Sequence, residues 1–531
     1  MSLATAKIPS DPAELQAFAA ALQSEYATLE VRTSVLQSEL YAKSLHIEKL
    51  KAQLAILKRA RYGRSSEKMN GEIEQLELLI SDLEEGEARS QAQTSASQSS
   101  ASPATSPVRE KGRPVRKALP AHLPRETVEH EAACACPACG GTRLTKIGTD
   151  EREVLEYVPA HFKVIVHSRP KMSCRDCETI TQPPMPSLPI ERGIPGPGLL
   201  AHVMIAKYCD HLPLYRQSEI YARGGVDIDR STLAGWVGKM SFLLDPLVEA
   251  VRLHVCAGIA IHADDTPVPV LEPGRGQTRE GRLWVAVRDE RPWGSSVPPA
   301  AFYRYSPDRK KEHAWALLKD CSGFLHADAY AGFNQLYKPD PLTGTARLVE
   351  VACWSHARRY IFDVHADTKS PAAYLLLQKI GELFAIEADI CGRPPEERLA
   401  VRTALSVPLL AALKTEYEKT LGRVGKGTFA TALRYALTLW DALTRYTTDG
   451  RLDICNNAAE RAVRPLALGR RNWLFAGADI GGESAASMYT LIQTAKINGL
   501  DPEAYLRAVI TRIADHRTKS IDQLMPWNIV L

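Results

Sequence analysis

Two Cys-x-x-Cys knuckles, Cys136-Pro-Ala-Cys139 and Cys174-Arg-Asp-Cys177, stand 34 residues apart, and no other feature limits the fold so tightly. Each knuckle brings two thiolates within reach of one tetrahedral ion, and four thiolates close the shell of a structural Zn2+. The intervening segment 153–166 carries Val154, Tyr157, Val158, Phe162, Val164 and Val166 and reads as strands. The spacing therefore predicts a zinc ribbon over 121–185. With no open coordination position, such a site holds a fold and does not catalyse. Five of the 11 cysteines lie between Cys134 and Cys177, and the other six are scattered singly. In a reducing compartment that clustering favours a metal over disulfides. Cys134 is a spare thiol able to compete as a ligand.

At 531 residues the chain is too long for one ordinary core, so several domains are expected. The net charge of +4 does not announce a nucleic-acid partner, but the basic residues are clustered, and local clusters matter more to a phosphate backbone. The first residues lack the basic start and apolar run of a secretory signal. No stretch approaches the roughly 18 apolar residues of a membrane span. A cytoplasmic, nucleoid-associated protein with no membrane partner is the expectation.

Leu15, Leu22, Leu29, Leu36, Leu50 and Leu57 share one heptad phase, with Tyr26, Thr33, Leu40, Ile47 and Leu54 on the companion position. That period predicts a coiled coil within a helical region 12–88, with a long amphipathic helix packed on its own domain as the alternative. Segment 89–120 is a polar linker ending in the basic run Lys111-Gly112-Arg113-Pro114-Val115-Arg116-Lys117. Arg113 and Arg116 read either as a minor-groove arm or as a solvated linker end. Region 195–253 is helical. Its Gly224-Gly225 turn, followed by a short second helix, fits a DNA-reading helix-turn-helix or an ordinary helical hairpin.

The candidate chemistry lies in 254–485. The run Ala257-Gly-Ile-Ala-Ile-His262-Ala-Asp264 ends in carboxylates, and Gly323-Phe-Leu-His326-Ala-Asp328 repeats its His-Ala-Asp ending. As strands, each delivers an Asp at the same relative position, which brings two hard oxygen ligands suited to Mg2+ or Mn2+ to one sheet edge. Alternation sets Ile259 and Ile261 on one side and Ala260, His262 and Asp264 on the other. His262 and His326 tune the site or simply pack. Asn456-Asn457-Ala-Ala-Glu460-Arg461 opens a helix, and Asn457 with Glu460 fits a capping box as well as a metal ligand. Arg461, Arg464, Arg470 and Arg471 follow, and cations beside carboxylates are what phosphodiester chemistry needs.

The segments Ala263-Asp-Asp-Thr-Pro-Val-Pro-Val-Leu271, Ala327-Asp-Ala-Tyr-Ala-Gly-Phe333, Cys353-Trp-Ser-His-Ala-Arg-Arg359 and Asn456-Asn-Ala-Ala-Glu-Arg-Ala-Val-Arg-Pro465 resemble those of the insertion sequence 66 family. So do Leu468-Gly-Arg-Arg-Asn-Trp-Leu-Phe-Ala-Gly477 and Lys496-Ile-Asn-Gly-Leu-Asp-Pro-Glu-Ala-Tyr505. The resemblance runs from about residue 45 to the C-terminus and implies a DDE transposase with an α/β ribonuclease-H-like catalytic core. It matches Asp264, Asp328 and Glu460 to the three acids and leaves Asp265 as a neighbour. Cys353 and His356 look like the Cys-x-x-His element of several DDE groups. Read alone they are half a zinc site without an obvious second pair, and a structural role is preferred. Cys455 is a departure, standing where the family commonly has Asp.

The expected architecture is multidomain: coiled coil, zinc ribbon, helical DNA-binding region, catalytic domain with a helical insertion at about 360–445, and a C-terminal helical element 486–531. The expected function is cleavage and strand transfer of an insertion sequence with two Mg2+ or Mn2+ ions. Asp264 would bridge the ions, and Asp328 and Glu460 would each complete one shell. Partners would be terminal inverted repeats, target DNA, a second copy or higher assembly, and accessory proteins of the same element. A non-catalytic DNA-binding repressor or domesticated remnant is the alternative, and a nuclease that cuts without rejoining is a further one.

Overall fold

The structure, a computed structural model, describes residues 119–531 apart from 122, 132–134, 159–160, 191–192, 273–276, 340–343 and 470–475, together with four helical positions at Gln16, Gln23, Tyr26 and His46. Almost all of the expected coiled coil and linker, with Arg113 and Arg116, therefore lies outside the described residues, as do Cys134, Arg470 and Arg471.

The first sheet is built from β1 (Arg125–Glu129), β2 (Leu144–Val158), β3 (His161–Cys174) and β4 (Ile180–Thr181). β2 and β3 form a long antiparallel ribbon from Leu144↔Cys174 to Val158↔His161, with a bulge between Lys146 and Gly148. β1 lies parallel to β3, and β4 pairs with the end of β3. One knuckle precedes β2, while the other spans the turn between β3 and β4. The ribbon's far end is apolar: Leu155, Phe162 and Val164 are buried in the same core as the helices that follow.

Those helices are α1 (Pro197–Tyr208), α2 (Leu214–Arg223) and α3 (Arg230–Cys256). The predicted turn at Gly224-Gly225 is present, and Gly225 takes φ 78°, a left-handed conformation that suits glycine. The second helix is not short, however. It runs for 27 residues, and Leu233, Trp236, Val237 and Met240 of its first turns are buried. An apolar face that continues with buried Leu244, Leu247 and Val251 keeps the helix going past the length that the Gly-Gly turn alone implied.

The second sheet comprises β5 (Ala260–Leu271), β6 (Thr278–Arg288), β7 (Ala300–Ser306), β8 (Gly323–Ala327) and β9 (Leu348–Ala352), in the order β7-β6-β5-β8-β9, with α4 (Lys311–Leu318) between β7 and β8. β5, β6 and β7 are an antiparallel meander, whereas β8 and β9 add in parallel on the other side of β5. β5 does not stop at its carboxylates. It continues to Leu271 because β6 pairs with it as far as Thr278, so Asp264 is a mid-strand residue. Nor do Ile259 and Ile261 share an environment: Ile261 is fully buried, but Ile259 precedes the strand and is 40% exposed.

A helical group follows: α5 (Trp354–Thr368), α6 (Pro371–Asp389), α7 (Pro395–Val401), a π turn (Arg402–Ser406), α8 (Val407–Val424), α9 (Thr428–Thr438) and α10 (Trp440–Thr444). These helices close a second core around Trp354, Leu376, Tyr417, Leu433 and Trp440. The chain then returns to the sheet through α11 (Asn457–Gly469) and ends with α12 (Asp479–Ile497) and α13 (Pro502–Ile513). α12 covers the edge strand β7, where Thr490 and Thr494 accept the amides of Tyr303 and Ala301 at 3.0 and 3.2 Å. Side-chain hydroxyls thus satisfy an edge that would otherwise present open donors.

Candidate active site

In the zinc ribbon, Cys136 Sγ lies 3.5 Å from Cys177 Sγ, and Cys139 Sγ lies 3.8 Å from Cys174 Sγ. Four Zn–S bonds of about 2.3 Å in a tetrahedron space their sulfurs about 3.8 Å apart, so the four thiols fit a structural zinc ion. The Thr179 hydroxyl and amide pull the Cys177 thiol down to about 6, while the neighbouring thiols push Cys139 up to about 12, so the ion-free cluster favours one thiolate over four.

The two His-Ala-Asp endings meet in the second sheet. Ala260, Ile261 and His262 pair in parallel with Phe324, Leu325 and His326. The ladder ends at that histidine pair, and two residues beyond it the Asp328 carboxylate lies close enough to push on the Asp264 carboxyl. Gly323 makes the start of β8 possible: at φ 102°, a Cβ there would meet Ile259 O at 2.3 Å. Just after β8, Ala329 takes φ 63° and the Asp328 carboxylate accepts the Tyr330 amide at 3.1 Å, which fixes the acid in a tight turn.

Burial pushes the Asp264 carboxyl up to about 7, and the neighbouring acids Asp328, Asp265 and Glu460 push in the same direction. The Asp265 side chain, by contrast, is only 2% exposed and fully engaged, with Arg282 at 3.0 Å and Arg309 at 2.7 Å. Arg309 lies over the Tyr330 ring at 4.0 Å and reaches to 4.0 Å from Asp328. The arginine clamp thus takes Asp265 and leaves Asp264 uncompensated. Neither Arg282 nor Arg309 was singled out from the sequence, because each lies far along the chain from the acid it holds.

Glu460 reaches the site on α11. Asn456, not Asn457, immediately precedes this helix, and its carbonyl accepts the Glu460 amide at 3.2 Å. The Asn457 side chain instead faces Ser355 at 3.4 Å, so the capping box read from the sequence is not made. The buried Asn456 amide donates to Ala263 O at 2.8 Å and ties the start of α11 to β5 one residue before Asp264. The Glu460 carboxylate lies 3.6 Å from His356 Nδ1 and 4.0 Å from Cys353 Sγ. Among the described residues, Cys353, His356 and Glu460 cluster within 4.8 Å of one another, and the three acids do not. A pair of ions about 3.5–4 Å apart spaces its carboxylates more widely than one ion does.

His262 and His326 are packed strand residues, and burial holds both rings below their ordinary pKa. Arg461 and Arg464 are exposed on α11, with Arg461 3.8 Å from Asp289. Cys455 is partly buried beside Cys353, and burial pushes its thiol up to about 12. No helix among the described residues is long and apolar enough to cross a membrane.

Comparison with known proteins defines the class as transposase. The family model described as "Transposase IS66 family" matches residues 192–484. "Transposase C of IS166 homeodomain" matches 49–128, "zinc-finger binding domain of transposase IS66" matches 133–178, and "IS66 C-terminal element" matches 490–527. The chain belongs to the IS66 transposase family. Similar relatives come from Sinorhizobium fredii (strain NBRC 101917 / NGR234). The uncharacterized protein y4qI is 37% identical across 99% of both chains, and the uncharacterized protein y4hP is 38% identical over 92% of this chain and 88% of its own.

Proposed function

We propose that this protein cuts and joins DNA at the ends of an insertion sequence, with Asp264, Asp328 and Glu460 holding two Mg2+ or Mn2+ ions. The observation that carries this reading is the in-register pairing of the two His-Ala-Asp strands, next to a third acid on a helix tied to β5 by Asn456. An antiparallel meander extended by two parallel strands supports a ribonuclease-H-like core, with α5–α10 as a helical insertion.

The donor set fits hard divalent cations, since the carboxylates are oxygen ligands and Asp264 sits buried among like charges that a cation relieves. Ions bound there supply a water or DNA 3′-hydroxyl of lowered pKa and stabilise the leaving oxygen. The protein's own groups do the rest. Asp264, Asp328 and Glu460 would hold the ions, while Arg309 and Arg282 keep Asp265 engaged and out of the ligand set. Exposed Arg461 and Arg464, with Arg470 and Arg471 further along, are the cations offered to the phosphate backbone. The zinc ribbon, Arg113, Arg116 and the heptad-bearing N-terminal region grip the terminal repeats, and a dimer or larger assembly holds two ends together, with accessory proteins of the element as further partners. The place of action is the nucleoid.

The test is Mg2+- or Mn2+-dependent cleavage and strand transfer on DNA carrying the element's ends. Wild type is expected to cut and join, while Asp264→Asn, Asp328→Asn and Glu460→Gln bind DNA without cutting. Full activity in Glu460→Gln would remove Glu460 from the set. Cleavage without joining would make the protein a nuclease, and binding without cleavage, even with accessory proteins added, a repressor or domesticated remnant.

A further inference from the structure

The Cys353/His356 pair lacks a role in the three-acid reading, yet the fold completes it. Cys353 stands at the N-cap position of α5 without a side-chain capping bond, and His356 is the third residue of that helix. Side chains at these two positions face each other over the first turn. α11 brings Glu460 from the other side, so the two halves of the cluster are 107 and 104 residues apart in sequence. The cluster contains a thiol, an imidazole nitrogen and a carboxylate oxygen, all within 4.8 Å.

We infer that Cys353 Sγ, His356 Nδ1 and Glu460 Oε1 form a second metal site, separate from the ribbon, for a thiophilic divalent cation of the Zn2+ class. Zinc ligands at about 2.0–2.3 Å lie about 3.3–3.8 Å from one another. The two distances to Glu460, 3.6 Å and 4.0 Å, need a few tenths of an ångström of closure, and the Cys353–His356 separation, within 4.8 Å, closes by about an ångström at most. A second observation points to the same ion. His356 Nδ1 is buried without a hydrogen-bond partner among the described residues, and it is aimed at the cluster. At 3.6 Å from the carboxylate it is too far for a hydrogen bond, but well placed for a shared ion.

Charge and access agree with this occupant. One thiolate and one carboxylate neutralise a divalent cation, which suits a half-buried site. Cys353 is buried, whereas the side chains of His356 and Glu460 are 29% and 39% exposed, leaving an entry path and room for water as fourth ligand. The Asn456 amide, 3.2 Å from Cys353 Sγ, supports the thiolate as a hydrogen-bond donor. A sulfur ligand selects against Mg2+ and Mn2+, so the site does not duplicate the proposed catalytic pair. Its effect is positional: it pins the starts of α5 and α11 together and commits Oε1 of Glu460, leaving Oε2 free for a neighbour.

The experiment is zinc content per chain of full-length protein purified with added Zn2+, desalted and read by elemental mass spectrometry, with circular dichroism to check folding. Two zinc ions per chain are expected in wild type and Asp264→Asn, and one in Cys353→Ser, His356→Ala and the ribbon variant Cys139→Ser. One zinc in wild type, lost only in Cys139→Ser, would overturn the site. So would a second zinc that survives both Cys353→Ser and His356→Ala. If Cys353→Ser fails to fold, His356→Ala still decides, because that ring reaches solvent. The count is independent of cleavage, so failure of the three-acid reading leaves it standing.

Discussion

His262 and His326 are direct partners in the parallel β5–β8 ladder, and their rings stack at 4.3 Å with an interplanar angle of 15°. His326 Nε2 accepts the Asp453 amide at 3.0 Å, and His262 Nε2 lies 3.6 Å from the Asp453 carboxylate. The pair therefore links the floor of the candidate site to the segment that returns from the helical group.

Burial is the main cause that lowers the pKa of both histidines, with Asp453 and Asp289 opposing it at His262, and with His262 and Arg402 reinforcing it at His326. A histidine held neutral in the fold stabilises fully above its unfolded pKa of about 6.5, and that stability is lost as pH falls through this value toward the folded one. Thermal midpoints of wild type should fall between pH 7 and pH 5.5. The double variant His262→Gln/His326→Gln should show a shallower fall, and equal slopes would refute the assignment.

Asp264 runs in the opposite sense. Its carboxyl, raised from 3.8 to about 7, binds a proton more tightly in the fold, so its presence destabilises the ion-free protein progressively as pH rises from about 4 to about 7. Each tenfold gain in proton affinity corresponds to about 1.4 kcal/mol. Asp264→Asn should therefore stabilise the Mg2+-free protein at pH 8 by a few kcal/mol while removing cleavage. Urea denaturation without Mg2+ measures the gain, and a loss of stability would contradict it.

The helical group carries a buried ion pair. Arg402 is fully buried and bidentate to Glu387 at 2.8 and 2.6 Å, and it also donates to the carbonyls of Tyr446, Asp449 and Leu452. Removing Arg402 leaves Glu387 with only Arg398, at 3.5 Å, and takes the donor from three carbonyls, so Arg402→Ala should cost about 3–5 kcal/mol. Arg402→Lys should rescue little, because a point charge cannot reproduce the fork. Denaturant midpoints of the three proteins decide this.

Asn456→Ala removes the side-chain bond that ties the start of α11 to Ala263 O on β5, at a cost of about 1–3 kcal/mol. Cleavage should fall by more than DNA binding does, since Glu460 loses its anchor. Parallel loss of both would mean a general folding defect.

Loss of the ribbon zinc in Cys139→Ser should open the knuckle end while the shared core around Leu155, Phe162 and Val164 holds the rest. Limited proteolysis should then cut near 136–141 and 174–179 but spare 260–513. Cuts spread through the second sheet would show that the zinc supports the whole chain.

The knuckle spacing, the strand patterning of 153–166 and the repeated His-Ala-Asp ending were all legible in the sequence, because each is a local signal read within a few residues. The repeat even carried the register: equal offsets in two parallel strands are the same 64-residue step at every pair. Long-range choices were not legible. That Asp265 is occupied by Arg282 and Arg309, that Asn456 rather than a capping box anchors α11, and that Glu460 closes the cluster with Cys353 and His356 all depend on which distant segments the two cores bring together. Local chemistry determined which residues could ligate an ion or build a strand. Only tertiary packing, by burying some polar groups and pairing others, decided which of them were left with charge to offer.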